Sequence, residues 1–166
     1  PAPGARGGQF RGETGAGGGR GEGVAEGRWQ AWGGVGRCGV AVRLWDRSKG
    51  NGGLTQSVPP LPLPGDTPSP RHTEIAVSRL ISAMLDEGSK HSDLRAKLFG
   101  GASLFPVAKV SQGVGASNVR AAVAALKEHR IPLLAQEVEG KSGMVIRMDT
   151  GLGEIWLRRI SSTDAA

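Results

Sequence analysis

The first 30 residues of this chain are dominated by glycine, with arginine, glutamate and alanine between the glycines. They show no sustained apolar period of two or of about 3.6 residues, the periods that let a strand or a helix bury one face. Such a segment cannot bury enough surface to offset its chain entropy, so we expect residues 1–30 to be a disordered tail. The core must come from the rest of the chain, which we divide into one domain over residues 31–162 and a short tail over residues 163–166.

Length and cysteine content restrict the class of protein further. The chain has 166 residues, of which 38% are hydrophobic, enough for one core. Its single cysteine, Cys38, cannot form a disulfide within the chain, and no stretch approaches the roughly 18 consecutive apolar residues of a membrane helix. We therefore expect a soluble, cytoplasmic protein without membrane insertion.

The positive charge is unevenly distributed. The formal net charge is +6, and the excess of basic residues lies mostly in residues 1–50. An arginine- and glycine-rich segment can contact RNA or DNA without sequence preference. However, Phe10 is the one aromatic residue before residue 28, so surfaces on which bases could stack are nearly absent. Nucleic-acid binding is therefore not expected, and a nucleic-acid-associated protein that uses this tail is kept only as an alternative.

Strand and helix patterns alternate beyond the tail. A run of β-favouring residues, VAVRLW, predicts a strand over residues 40–45, followed by a turn in DRSKGNGG. Residues 58–70 are proline-rich and predict an extended surface loop. Apolar residues at helical spacing predict an amphipathic helix over residues 73–88, with Thr73 as its N-cap and Gly88 as its C-cap.

The second half of the chain continues in the same way. Residues 94–105 begin as a strand that breaks at Gly100-Gly101. A second helix is predicted over residues 115–131, with Ser117 as its N-cap. Three strands follow in IPLLAQEVEG, GMVIRMD and GEIWLRRI, with a hairpin turn in TGLG between the last two. This order of elements predicts an α/β fold with a mixed sheet covered by helices.

Few residues carry recognisable chemistry. Neither GGVGRCG nor SQGVGAS has the spacing and the Lys-Ser/Thr of a phosphate-binding Walker loop. The histidines His72, His91 and His129 are far apart in sequence, so no metal site is expected. Cys38 is either a small buried hydrophobe or a nucleophile, and a nucleophilic cysteine needs a base and a group that orients the base. The local sequence does not supply these groups.

Several motifs in one order resemble a single family. LRAKLFGGASLF, then VGASNVRAAVAALKEHRIPLLAQEVEG, then GEIWLRRI resemble the chemoreceptor glutamine deamidase family, CheD, over residues 72–160. The family pattern is A-K-[LIV]-[FA]-G-G-A-x-[ML]-F, an [IV]-G-x-x-N-V helix and an I-P-[LV]-[LV]-A-E-D strand. The resemblance implies an α/β/α sandwich that works as a cysteine hydrolase and converts glutamines of methyl-accepting chemoreceptors to glutamate. It also implies no cofactor and no metal, and CheC as a further partner.

The resemblance assigns roles to positions near the cysteine. In the family a Cys attacks the amide, a His serves as base and a Thr orients the His. The family motif T-L-x-x-G-S-C-V-A-V-x-[LM]-x-D resembles GRCGVAVRLWD. Without a gap, the family Cys falls on Gly39 and the Thr falls on Gly33. If Gly39 is an insertion, Cys38 is the nucleophile and the Thr falls on Trp32.

The family base lies in G-[GA]-[ML]-x-H-x-[ML]-L-P, and GGLTQSVPP places Gln56 at the His position. Glutamine has no titratable nitrogen, so it cannot take the thiol proton. His72 is an alternative base, although it matches a different family position. The resemblance therefore implies a protein-glutamine deamidase with Cys38 as candidate nucleophile and impaired turnover. The alternative is a catalytically inactive binding module that engages receptors or CheC.

Overall fold

The computed structural model describes residues 23–26, 30–35, 38–57, 64–65, 67, 72–102 and 113–160. These residues form eight strands and two α-helices, with a short 3-10 turn before β5. The elements are β1 (Gly23–Glu26), β2 (Gln30–Val35), β3 (Val40–Asp46), β4 (Asn51–Ser57), α1 (Thr73–Asp86), β5 (Leu94–Gly100), α2 (Val114–Glu128), β6 (Leu133–Val138), β7 (Met144–Asp149) and β8 (Ile155–Arg159).

Five strands form one sheet, which we call the large sheet, in the order β1-β4-β3-β5-β6. Its strands pair antiparallel except for β5 and β6, which are parallel. Parallel neighbours need a crossover connection, and α2 supplies it. The predicted mixed sheet is confirmed.

The remaining strands form a second, small sheet in the order β2-β7-β8, and both pairs are antiparallel. The strand β2 comes from the start of the described chain, whereas β7 and β8 come from its end. The predicted hairpin between β7 and β8 is confirmed, and Gly153 in its turn has a φ of +68°, which favours glycine.

The two faces of the large sheet are covered differently. One face packs against α1 and α2, and β3 contributes Val40, Val42 and Leu44 to that core. The other face packs against the small sheet, in a second core made of Ala41, Leu54, Phe99, Met144, Ile146 and Met148. We call the space between the sheets the inter-sheet layer. The α/β class is confirmed. The implied α/β/α sandwich has helices on both faces of its sheet, whereas here the small sheet covers the face opposite α1 and α2.

Three strands were not predicted. β2 and β4 each contain two adjacent glycines, which weaken the strand signal because glycine has no side chain to pack. β1 has only four residues, too few to show a period of two. The strand β1 lies within residues 1–30, so the prediction of a disordered tail is wrong for Gly23–Glu26. Residues 1–22 and the tail over residues 163–166 lie outside the described residues.

The predicted caps also need correction, although both helices are confirmed. His72 is the N-cap of α1, and Thr73 is the first helical residue. Glu87 is the C-cap, and Gly88 follows it with a φ of +88°. Gly113 is the N-cap of α2. Ser117 therefore lies inside α2, where its hydroxyl accepts a hydrogen bond from Arg120.

Most of the proline-rich segment over residues 58–70 lies outside the described residues. Residues 103–112 also lie outside them, and these include the last three residues of the strand predicted over 94–105. The part of that strand before the glycine pair is β5, which ends as predicted at Gly100. Neither α1 nor α2, the helices of the described chain, has the length and apolar content to cross a membrane.

Candidate active site

Gln56 lies in the inter-sheet layer. The pairing of β3 with β4 places it opposite Ala41, and residues directly opposite one another share a face of the sheet. Ala41 packs in the core that Ile146 and its neighbours form between the sheets. The Gln56 residue is 8% exposed. The side chain at the family's His position is thus almost buried between the two sheets.

Cys38 lies just before β3 and is half-buried. Its carbonyl oxygen accepts a hydrogen bond of 2.6 Å from Nδ2 of Asn118 on α2. The next carbonyl, that of Gly39, accepts a hydrogen bond of 2.7 Å from the backbone N–H of Gly101, which follows β5. Two elements that are distant in sequence therefore hold the segment that carries the thiol.

The direction of this segment follows from its pairing. The hydrogen bond from Gly101 extends the pairing of β3 with β5 by one residue beyond Val40. Because neighbours along a strand face opposite sides, residue Gly39 shares the face of Gln56. Cys38 lies one residue further out, at a bend, where strand alternation no longer applies.

The small sheet separates the two positions considered for the family's Thr. Gly33 on β2 lies opposite Ile146 on β7, and Ile146 is fully buried in the inter-sheet layer. Trp32 lies opposite Arg147. Since alternate residues belong to opposite faces, position 33 faces the inter-sheet layer and position 32 belongs to the outer face of the small sheet.

The two alignments therefore differ in geometry. The ungapped alignment puts all three family positions, here Gly33, Gly39 and Gln56, on the inter-sheet layer. The alignment through Cys38 and Trp32 uses position 32, which belongs to the outer face of the small sheet. In this respect the ungapped alignment fits the geometry better, and in it glycines occupy the positions of the family's Cys and Thr.

His72, the alternative base, lies on the helix side of the large sheet. It is fully buried at the N-terminus of α1. The adjacent Thr73 accepts a hydrogen bond of 2.9 Å from the hydroxyl of Ser57. Ser57 follows Gln56 in β4 and so faces the helices. The contact between Thr73 and Ser57 therefore places the start of α1 on the face of the large sheet opposite Gln56.

A buried cation faces the inter-sheet layer. Arg43 is 3% exposed and shares the face of Ala41, two residues earlier in β3. Its Nη2 donates a hydrogen bond of 2.5 Å to the carbonyl of Gly153, and its guanidinium carbon lies 5.4 Å from the ring centre of Trp45. Burial lowers the pKa of Arg43 to about 10. A cation here favours negative charge in its own surroundings, beside Gly153 and Trp45.

A close backbone approach holds the start of α2 against the end of β5. A Cβ atom on Gly115 would lie 2.5 Å from the carbonyl oxygen of Gly101 and 2.8 Å from that of Ala102. Gly101 itself has a φ of +67°. Only glycine fits this contact, which keeps the first turns of α2 beside the Cys38 segment.

Sequence reasoning missed two residues of this region. They are Asn118, which lies in the VGASNV motif, and Arg43 in β3. Asparagine is a poor helix former, so an asparagine inside a helix of alanine and valine is a signal that its amide has a specific partner. No comparable signal marks Arg43, since an arginine between apolar residues of a strand is also typical of a sheet with one face in solvent.

The described residues define an α/β protein with two packed sheets, and Gln56 is almost buried between them. The chain matches the family model for CheD chemotactic sensory transduction over residues 62–159. The chain belongs to the CheD family. The matched segment begins after Cys38 and Gln56, so it covers the scaffold and leaves out both candidate site residues.

Relatives with curated names match over more of the chain. One, named a probable chemoreceptor glutamine deamidase CheD, is from Rhodospirillum rubrum and is 38% identical over 128 residues, 77% of this chain and 72% of the relative. Proteins of the same name are from Trichlorobacter lovleyi, 35% identical over 75% of this chain and 77% of the relative, and from Thermococcus kodakarensis, 34% identical over 78% and 81%.

Proposed function

We propose that this chain is a protein-glutamine deamidase that acts on methyl-accepting chemoreceptors in chemotaxis and turns over slowly. The observation that carries the proposal is membership of the CheD family together with the name shared by the relatives, probable chemoreceptor glutamine deamidase. A cytoplasmic location belongs to the same proposal, because the substrates would be the cytoplasmic segments of receptors.

The proposed reaction is the hydrolysis of a side-chain amide. The Cys38 sulfur, as thiolate, attacks the amide carbon of a receptor glutamine, and the carbonyl oxygen becomes an oxyanion. The C–N bond then breaks, and the nitrogen leaves as ammonia after taking up a proton. Water hydrolyses the remaining thioester, which gives glutamate and restores the thiol. Glutamine and water are thus converted to glutamate and ammonia.

Slow turnover follows from the groups available to move protons. Gln56 can donate and accept hydrogen bonds, but it cannot take the thiol proton or deliver it to ammonia. General acid–base catalysis contributes about 10²- to 10⁴-fold to such reactions, so the proposed rate lies below that of relatives with a histidine by about this factor.

The test is incubation of the full chain with receptor cytoplasmic fragments, followed by peptide mass spectrometry for the mass gain of each Gln-to-Glu change. The CheD protein of Rhodospirillum rubrum serves as the reference reaction. We expect slow deamidation that is lost in Cys38→Ala and kept in a control variant of an exposed residue, Lys141→Ala. Deamidation that survives Cys38→Ala would remove Cys38 from the mechanism.

A second candidate function is a binding module that engages receptors or CheC without hydrolysis. Two features support it: Gln56, at the position that the family pattern gives to the base, cannot move a proton, and position 39, which shares the face of Gln56, is a glycine. Retention of receptor fragments or of CheC by the immobilised chain, without any mass gain in the receptor, would support this function over the first.

A further inference from the structure

Asn118 is a buried polar residue to which the proposed reaction gives no role. It lies in the first turns of α2 and is fully buried. An amide in such a place is costly unless it is hydrogen-bonded. Its Nδ2 donates to the carbonyl of Cys38 at 2.6 Å, across a sequence separation of 80 residues.

This hydrogen bond orients the peptide between Cys38 and Gly39. A trans peptide is planar and carries its N–H opposite its C=O. Because Asn118 holds the carbonyl of Cys38, the N–H of Gly39 points away from Asn118. The following carbonyl, that of Gly39, is held by the N–H of Gly101 at 2.7 Å. The backbone is therefore fixed on both sides of residue 39.

The support for Asn118 is itself rigid. Gly115, one turn earlier in α2, touches the backbone of Gly101 so closely that a Cβ atom would lie 2.5 Å from the Gly101 oxygen. The donor to Gly39 and the helix that carries Asn118 are thus locked together. Because α2 is held rigidly here, little conformational entropy is lost when the Asn118 side chain binds the carbonyl of Cys38.

We propose that Asn118 is a positioning residue that fixes the peptide between Cys38 and Gly39, and with it the place of the thiol and the direction of the Gly39 N–H. Its chemical meaning rests on the proposed function. A backbone N–H beside the nucleophile can donate to the amide oxygen of a bound glutamine and stabilises that oxygen when it becomes negative. Asn118 touches neither the substrate nor the reacting atoms.

The first test measures how fast iodoacetamide alkylates Cys38 in the folded full-length chain. We expect Asn118→Ala to raise the alkylation rate by about tenfold, because the released segment samples open states more often. The matched control is Asn51→Ala, since Asn51 is also a fully buried asparagine but lies in β4 at the far end of the β3–β4 hairpin. Equal rates in the two variants would overturn the proposal.

The second test follows the backbone amide of Gly39 by nuclear magnetic resonance. A carbonyl that accepts a hydrogen bond polarises the N–H of its own peptide, so Asn118→Ala should shift the Gly39 amide signal and speed its hydrogen exchange. Asn118→Asp keeps the size of the side chain but removes the N–H donor, so it should give the same changes if the alanine variant does not fold. A Gly39 signal in Asn118→Asp identical to that of the parent chain would contradict the role.

Neither measurement needs a working deamidase. If the parent chain modifies no receptor glutamine, the proposed function fails, while the alkylation rate and the Gly39 signal still decide the role of Asn118. If the chain is active and the Asn118 variants leave both the alkylation rate and the Gly39 signal unchanged, only the positioning role is wrong.

Discussion

Position 56 limits what the site can do with a proton. A thiol becomes a good nucleophile only as thiolate, and a neighbouring base usually produces it. Gln56 is almost buried between the sheets, so its amide rather than bulk water occupies the space where a base would be needed. A histidine restored at this position therefore has a defined place, and the remaining question is which residue it would serve.

Two restored variants separate the alignments. If position 39 is the nucleophile position, Gly39→Cys with Gln56→His should deamidate receptor fragments at least about 100-fold faster than the parent chain, because both the nucleophile and the base are then on one face. In that case Gln56→His alone should change the rate little, since the parent chain has no thiol at position 39. The measurement is the rate of mass gain in receptor peptides.

Gly39→Ser with Gln56→His is the matched control, because it adds a side chain of similar size without a thiol and should stay slow. A large gain from Gln56→His alone would show that Cys38 is the nucleophile and that Gly39 is an insertion. No gain in any variant would mean that the base is not the only defect, and the glycine at position 33 would be the next to restore.

Asp46 makes stability depend on pH. Burial raises its pKa, but hydrogen bonds from the Ser48 hydroxyl and from the backbone N–H groups of Lys49 and Ser48 outweigh burial and lower the pKa. A carboxylate whose pKa is lowered by folding stabilises the fold above its unfolded pKa, near 3.9 for Asp. This stabilisation is lost as the pH falls through the folded pKa.

Asp46→Asn should therefore lower the free energy of unfolding by about 1–2 kcal/mol near neutral pH, because Oδ1 accepts charge-assisted bonds of 2.6 and 2.8 Å from Ser48. The difference from the parent chain should shrink towards about pH 3. Urea unfolding at both pH values measures it, with Glu154→Gln as a control at an exposed carboxylate. A difference that grows on acidification would contradict the sign.

At the scale of elements, apolar spacing located α1, α2, β5 and β7, because each buries a face rich in aliphatic residues. The more exposed strands β6 and β8 were located by their β-favouring residues and flanking turns. In β4, Gly52 and Gly53 favour a turn in the local sequence, so this strand was missed. In the structure a Cβ atom on Gly52 would lie 2.4 Å from the end of the Met148 side chain. The contact that requires glycine comes from a distant strand, so local sequence cannot reveal it.

The junction between β5 and α2 gives a prediction at this scale. Alanine is a better helix former than glycine by about 1 kcal/mol, yet Gly115→Ala should destabilise the protein by about 1–3 kcal/mol. The added Cβ would push against the backbone of Gly101 and Ala102, which cannot move aside as a side chain can. Thermal or urea unfolding measures the change.

Gly140→Ala is the control, because its Cβ would meet only the end of the Arg159 side chain at 3.5 Å, an ordinary contact distance. Equal stability of the two variants would show that α2 can shift away from β5 at little cost.

At the scale of the whole molecule, the α/β class and the mixed large sheet could be predicted from the order of elements. The faces of Gly33, Gly39 and Gln56 could not, because they follow from three strand registers in two sheets. A sequence motif does not show which face of a sheet a residue occupies, and the choice of Cys38 or Gly39 as the nucleophile position depends on that face.

Truncation tests the boundary of the folded unit. A chain that lacks residues 1–22 keeps every described strand, and we expect its free energy of unfolding to equal that of the full chain. Removing residues 1–36 also removes β1 and β2, which leaves β7 with one neighbour and uncovers Ile146 and Met148. This should cost at least about 3 kcal/mol, measured by the urea midpoint. Equal stability of the two truncations would show that β2 is dispensable.

The pairing of β2 with β7 also sets the order in which the molecule can assemble. The two strands lie near opposite ends of the described chain, and contacts between distant segments form late because the intervening chain must first be closed into a loop. During synthesis on the ribosome, Gly33 and Cys38 leave the exit tunnel long before Asn118 and Ile146 exist. A newly made chain therefore carries an unprotected thiol until its last strands are added, which makes this cysteine most vulnerable to oxidants before the protein has finished folding.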